Sequence, residues 1–304
     1  TGVPSGQLKG RHPMCGIVGL FLKDASLERK LGELLSEMMI TMSDRGPDSA
    51  GIAVYGNRQP DLLKLTLQSS APDQDFDGLD NLISERIGSA VTMEHRDTHA
   101  VLSVASDLLL KVQGALDDLR PSIRLMSTGE SIEIYKEVGH PAGVVNRFQL
   151  EKMTGTHGIG HTRMATESIV NTLGAHPFST GTDQCLVHNG SLSNHNSLRR
   201  MLIREGVRFE TENDSEVAAA YLTHRMSSGA TLSQALESGL KDLDGFYTFV
   251  VGTRDGFGVM RDPIACKPAV MAETERYVAF GSEYRALVNP VSYTHLTLPT
   301  KRIV

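Results

Sequence analysis

Apolar positions along this chain switch between two spacings, and the switches mark its elements. CGIVGLFL, residues 15–22, is a short continuous apolar run, the signature of a buried strand. Residues 27–43 then place Leu31, Leu34, Leu35, Met38 and Met42 at helical spacing. RGPDSAG at 45–51 is a turn-rich loop that leads into the strand-like GIAVY at 51–55. From 60 to 129 the period alternates: strand LLKLTL, helix 77–88, strand HAVLSVA, helix 106–118, strand SIRLM. Strand IEIYKEVG (132–139), helix 141–152 and strands over 156–165 and 184–188 follow. Helices are predicted over 194–205, 214–227 and 231–242, and hairpins over 246–261 and 268–281. Asp255-Gly256, between FVVGT and FGVM, is a strong hairpin-turn signal. Strands gathered at both ends with helices between them predict a layered α+β domain with antiparallel sheets.

Composition narrows the class. A chain of 304 residues with 40% hydrophobic content can bury a sizeable core. A net charge of −6 offers no basic footprint, so nucleic acid is not an expected partner. No apolar stretch reaches membrane-spanning length, and TGVPSGQLKGRHP has no signal-like apolar core, so no membrane is expected either. Three widely spaced cysteines, Cys15, Cys185 and Cys266, suit a reduced cytosolic protein better than a disulfide framework. Both ends look foreign to the fold. Residues 1–13 read as a propeptide or an upstream extension, and 291–304 as a non-native tail, whose blander reading is an alternating edge strand at YTHLTL. No P-loop, dinucleotide fingerprint or cysteine cluster is present in the sequence, so no cofactor or metal is expected.

The candidate chemistry begins at Met14-Cys15. Removal of the methionine would leave Cys15 as the first residue, with a thiol and a free α-amine on one unit. The reference pKa values, about 7.7–8.0 for the amine and about 8.5 for the thiol, let one serve as base for the other near neutral pH. By itself that signal is weak, because a cysteine is most often a buried core residue. Four later segments add to it, in order: RGPDSAG (45–51), GIGHTRMATE (158–167), LVHNGSLSNH (186–195) and NDSEV (213–217).

Together with CGIVG, these segments resemble the class II glutamine amidotransferases, enzymes with an N-terminal nucleophile, and the resemblance runs from Cys15 to about residue 288. It implies a four-layer αββα sandwich over 15–290. Compact members have less chain between the RGPDSAG-like loop and the HTR strand, so 60–129 reads either as an inserted α/β subdomain or as an enlarged sheet edge. It implies Cys15 as nucleophile, with Asn189 and Gly190 as an oxyanion hole; their blander reading is a turn closing strand 184–188. Arg163 would take the α-carboxylate of glutamine, with Thr166 near it, and Asp214 would take the α-ammonium. The competing readings are a surface ion pair for Arg163 and a helix N-cap for Asp214, which could do both.

Arg45 and Asp48 are expected to brace the loop, His161, His176 and His188 to be structural, and Cys185 and Cys266 to be inert core residues. Met164 and Glu167 stand where sugar-phosphate amidotransferases carry tryptophan and histidine, which argues against the glucosamine-6-phosphate branch. The motifs look closer to stand-alone amidotransferase subunits of glutamate synthase-like systems such as N-methylglutamate synthase. There the implied partners are a Gly-repeat domain protein and an FMN/iron–sulfur synthase chain. Two other readings stand beside this one: a free-standing N-terminal nucleophile amidohydrolase, and a non-catalytic regulatory subunit.

Overall fold

The computed structural model describes residues 14–59, 61–164 and 170–288, and the backbone of 295–297 and 301–303. The apolar run at the start forms β1 (Gly16–Leu22). The Asp24 carboxylate accepts from the Ser26 N–H and opens a 3-10 turn, Ala25–Lys30, before α1 (Leu31–Thr41). The single helix expected over 27–43 is thus two pieces. Next come β2 (Ser49–Tyr55) and the alternating region: β3 (Leu62–Gln68), α2 (Pro72–Asp75), α3 (Leu79–Ile87), β4 (Thr92–Arg96), β5 (His99–Ala105), α4 (Leu109–Leu119) and β6 (Arg124–Gly129). The chain continues through β7 (Ile132–Val138), α5 (Pro141–Arg147), β8 (His157–Arg163), β9 (Phe178–Gly181) and β10 (Gln184–Leu192). Helices α6 (His195–Arg204), α7 (Asp214–Ser227) and α8 (Leu232–Asp242) precede β11 (Gly245–Thr253), β12 (Gly256–Arg261), β13 (Val270–Glu273) and β14 (Tyr277–Gly281). Two short strands close the series, β15 (His295–Thr297) and β16 (Lys301–Ile303).

Alternation within the strands builds the layers. In β1, Val18, Leu20 and Leu22 pack with Leu31, Leu35 and Met39 of α1 and with Val144 and Val145 of α5. Ile17 points the other way, toward Val187, Val250 and Phe257 of the facing sheet. In β11, Tyr247, Phe249 and Val251 meet Val217 of α7 and Leu236 of α8, whereas Val250 faces inward. Seven strands form the first antiparallel sheet, in the order β15-β13-β14-β1-β8-β2-β7, and five form the second, β16-β12-β11-β10-β9. The result is the expected four-layer αββα sandwich, with one core between the sheets and one under each helix layer. Residues 62–129 make a separate four-stranded sheet, β4-β5-β3-β6, with an apolar cluster of its own that includes Leu65, Phe76, Ile83, Leu102 and Leu116.

Several local expectations are corrected. The helix expected over 141–152 stops at Arg147, because Gln149 takes a left-handed conformation (φ 51°) before a last 3-10 turn. β10 does not end at residue 188; it runs to Leu192, so Asn189-Gly190 is mid-strand and not a turn. The β11–β12 turn is Arg254-Asp255, with Thr253 paired to Gly256, one residue earlier than the Asp255-Gly256 signal. β4 carries TMEHR with no apolar alternation, since it lies at a sheet edge with mostly exposed side chains; β9 is only a four-residue strand. In the tail, β15 pairs with β13 and β16 with β12, each at an edge of its sheet. Residues 1–13 lie outside the described residues. No helix among the described residues is long and apolar enough to cross a membrane.

Candidate active site

Two sheets and one helix end converge on Cys15. It stands just before β1, whose Gly16 pairs with Thr162 of β8, so Arg163 at the end of β8 lies beside it. β10 of the facing sheet brings Asn189, whose Nδ2 donates to the Cys15 carbonyl at 3.1 Å. Arg45, from the loop before β2, donates its Nε to the same oxygen at 3.1 Å and pairs with Glu283 at 2.5 Å. The Asp48 N–H bonds the Arg163 carbonyl at 3.1 Å. Arg45 therefore braces the site's backbone through its side chain, whereas Asp48 meets it here through its main-chain N–H. Behind β10, Asp214 is the first residue of α7, and its Oδ2 accepts from the Leu192 N–H at 2.9 Å. The N-cap of α7 is Asn213, whose side chain accepts from the Ser215 N–H, so Asp214 does not perform the capping role.

Cys15, Arg163, Asn189, Gly190 and Asp214 all line one cavity of about 720 Å³. Arg163 is 7% exposed, which removes the surface ion-pair reading. Gly190 has φ 146°, and a Cβ there would sit 2.0 Å from the Phe246 carbonyl oxygen, so only glycine fits. Thr166 and Glu167 lie outside the described residues. Among the described residues no cluster of His, Cys, Asp and Glu is arranged to hold a metal ion.

Electrostatics differ sharply between the thiol and the carboxylate. Burial pushes the Cys15 thiol up, opposed by its long contact to the Met164 carbonyl (3.9 Å) and by the charges of Arg163, Lys267 and Arg45. Burial would also raise Asp214, but the His188 ring 3.6 Å away and the Leu192 N–H hold its carboxyl at about 2. The three histidines are buried. His161 Nε2 donates to the His188 carbonyl at 2.9 Å, while His176 Nε2 and His188 Nδ1 both meet Ser215 Oγ, at 2.8 and 2.9 Å. Desolvation lowers His161 to about 3 and also depresses His176, so both rings are neutral near pH 7. Among the described residues none of the three bonds to Cys15; His176 and His188 buttress the start of α7, and His161 holds the backbone of β10. Cys185 is buried against the Tyr55 hydroxyl at 3.4 Å and is pushed to about 12 by burial; Cys266 is exposed and so is not the core residue expected.

Sequence reasoning missed two sets of residues. The loop before α7 lines the cavity with Glu210, Thr211 and Glu212. It is held by Glu216, which accepts from the N–H groups of Glu210 and Thr211 at 2.8 Å each, and by Arg199, which donates to the Thr211 carbonyl at 2.8 Å. Lys267 also lines the cavity, with its Nζ 3.9 Å from Met14 Sδ and 5.2 Å from the Phe246 ring centroid. It sits in a turn fixed by Asp262, which accepts from the N–H groups of Tyr247 (2.8 Å) and Ala265 (3.0 Å). A lone lysine in an irregular turn leaves no pattern by which to find it. Because its charge lowers the Cys15 pKa, Lys267→Met is expected to raise it. Iodoacetamide labelling of Cys15 across a pH series should then shift to higher pH, with Lys267→Arg unchanged; superimposable profiles for all three proteins would show that Lys267 has no such effect.

Residues 161–289 match a family model described as a glutamine amidotransferase domain. The chain is 65% identical over 276 residues to the glutamine amidotransferase-like protein GlxB of Rhizobium meliloti, covering 91% of each chain. It is 34% identical to a Methanothermobacter thermautotrophicus protein whose name gives it provisionally as a glutamine amidotransferase, covering 89% of this chain and 92% of that one. In three dimensions it resembles the glutamine phosphoribosylpyrophosphate amidotransferase of B. subtilis (TM-score 0.57, 19% identity), covering 90% of this chain but 43% of that structure, a likeness of fold. The motifs, the sandwich and these relatives agree: the chain belongs to the class II glutamine amidotransferases and is an enzyme of that family.

Proposed function

We propose that this enzyme hydrolyses the side-chain amide of L-glutamine to glutamate and ammonia through a thioester on Cys15, after removal of the residues that precede it. The observation that carries the reading is the convergence of Cys15, Asn189, Gly190, Arg163 and Asp214 on one cavity. The freed α-amine of Cys15 takes the thiol proton, and the thiolate adds to the amide carbon. Negative charge then grows on the former carbonyl oxygen, where Asn189 Nδ2 and the Gly190 N–H are the proposed donors. The amine returns its proton to the departing ammonia, and water cleaves the thioester. Arg163 offers a planar fork for the α-carboxylate, and the ionised Asp214 an acceptor for the α-ammonium, with Thr166 beside the carboxylate.

The clamp is tested by substrate competition. Asp214→Asn and Arg163→Met are each expected to raise the glutamine KM by about 10²-fold, as befits loss of a charge-assisted contact. Their wild-type parent should ignore amides that lack either α-group. Equal turnover of such truncated amides would instead favour a general amidohydrolase.

The ammonia, in this reading, passes to a separate chain of glutamate synthase-like type, with a Gly-repeat domain protein and an FMN/iron–sulfur synthase as the partners. Support comes from relatives of matching compass: this chain spans 91% and 92% of the two described above, so the amidotransferase fold makes up most of each. Residues 62–129, with their own sheet and core, are read as an insertion into that fold.

A further inference from the structure

We propose that Lys136 is a positioning residue for glutamine, holding from behind the segment 171–177 that forms one wall of the cavity. The inference rests on the reading of that cavity as the glutamine site. In β7 the side chains of Ile132 and Ile134 enter the core between the sheets, and Lys136 is next in the same register. An ammonium is a costly occupant of such a position unless each of its protons finds an acceptor. Three acceptors are supplied by one short stretch: the carbonyls of Leu173 (3.1 Å), Ala175 (2.9 Å) and Pro177 (3.2 Å). The Phe178 ring centroid lies 4.7 Å from Nζ, and the charges of Glu210 and Glu216 favour the ammonium, while burial lowers its pKa to about 8.

The stretch is seated on the sheet itself. Lys136 pairs across the ladder with Gly51, where a Cβ would lie 1.9 Å from the His176 carbonyl oxygen. From this seat the segment presents Leu173, Gly174 and His176 to the cavity. His176 bonds Ser215 at 2.8 Å, next to the proposed ammonium ligand Asp214. Lys136 touches neither Cys15 nor the reacting amide, so its loss should act on the seating of glutamine and not on the nucleophile.

The test uses the full chain beginning at Cys15, with Lys136→Met and, as a gentler variant that keeps two N–H donors, Lys136→Gln. Hydrogen exchange of amides in 171–178 is expected to quicken in both variants relative to the β1 and β8 amides. The KM for glutamine should rise about tenfold or more in Lys136→Met and less in Lys136→Gln, with iodoacetamide labelling of Cys15 unchanged. Unchanged exchange in 171–178, or faster exchange with an unchanged KM, would overturn the inference. So would a fall in labelling that parallels the loss of activity, which would mean general damage. If the unsubstituted protein neither hydrolyses nor binds glutamine, the reading of the site fails first, and the inference with it. That failure is visible in the parent protein before any variant is made.

Discussion

Protein that begins at Cys15 should release glutamate from glutamine, whereas protein that begins at Thr1, or carries Cys15→Ala, should not. The thiol is a poor nucleophile as it stands, because burial raises its pKa and the surrounding Arg163, Lys267 and Arg45 offset that only in part. A base is therefore needed, and the imidazoles do not supply it. His161 and His176 are held neutral in the core, and among the described residues neither they nor His188 bonds to the thiol. In the proposed mechanism that base is the α-amine of Cys15. Joined to Met14 it is an amide with no basicity, so the proposed mechanism makes removal of the preceding residues the activating step. Loss of the nucleophile in Cys15→Ala should cost about 10⁴-fold or more in kcat. Its thermal unfolding should change little, because the substitution removes a single sulfur atom from a side chain that lines the open cavity. Glutamate release by steady-state assay, with the N-terminus of each form established by mass spectrometry, decides the matter. Undiminished turnover in the Cys15→Ala form would remove the thioester route.

The candidate site was legible in the sequence where its residues are neighbours in the chain. Asn189-Gly190 adjoins His188 in one strand, and Asp214 adjoins Asn213 and Ser215 at a helix start, so local motifs carried them. Their geometry was less legible. The Asn-Gly pair suggests a turn from local preference, yet pairing with Tyr247 and Thr248 of β11 keeps it extended, and a long-range ladder overrides the local signal. The capping role went to Asn213 for a similar reason: the Leu192 N–H draws the Asp214 carboxylate away from its own helix. Lys267, Arg199 and Lys136 were not singled out because each acts on a segment outside its own element, and Glu216, although inside NDSEV, because its carboxylate turns back to the N–H groups of Glu210 and Thr211. In IEIYKEV the lysine looks like a surface residue until the register shows that it follows Ile132 and Ile134 inward. The fold was easier to read, since strand alternation and helical spacing are repeated over many residues. β4 escaped because its side chains are mostly exposed and its pairing is a matter of backbone alone.

Asn189→Ala is expected to lower kcat for glutamine by about 10²–10³-fold while leaving KM within a few-fold of its starting value. The side chain is anchored where that outcome follows. Its Nδ2 is fixed on the Cys15 carbonyl at 3.1 Å, so it stands beside the proposed nucleophile. A donor placed there meets the substrate oxygen most strongly once charge has developed on it, which separates kcat from KM. Asn189→Asp gives the sharper contrast, since it keeps the volume and replaces the donor with a negative charge; it should be at least as inactive as the alanine variant. Gly190 cannot be probed in the same way, because any Cβ would collide with the Phe246 carbonyl and disturb the β10–β11 ladder as well as the proposed N–H donor. The assay is steady-state glutamate release by protein beginning at Cys15, with iodoacetamide labelling as a check that the thiol remains reactive. A rise in KM at constant kcat would place Asn189 in ground-state binding instead, and the oxyanion role would then pass to the backbone alone.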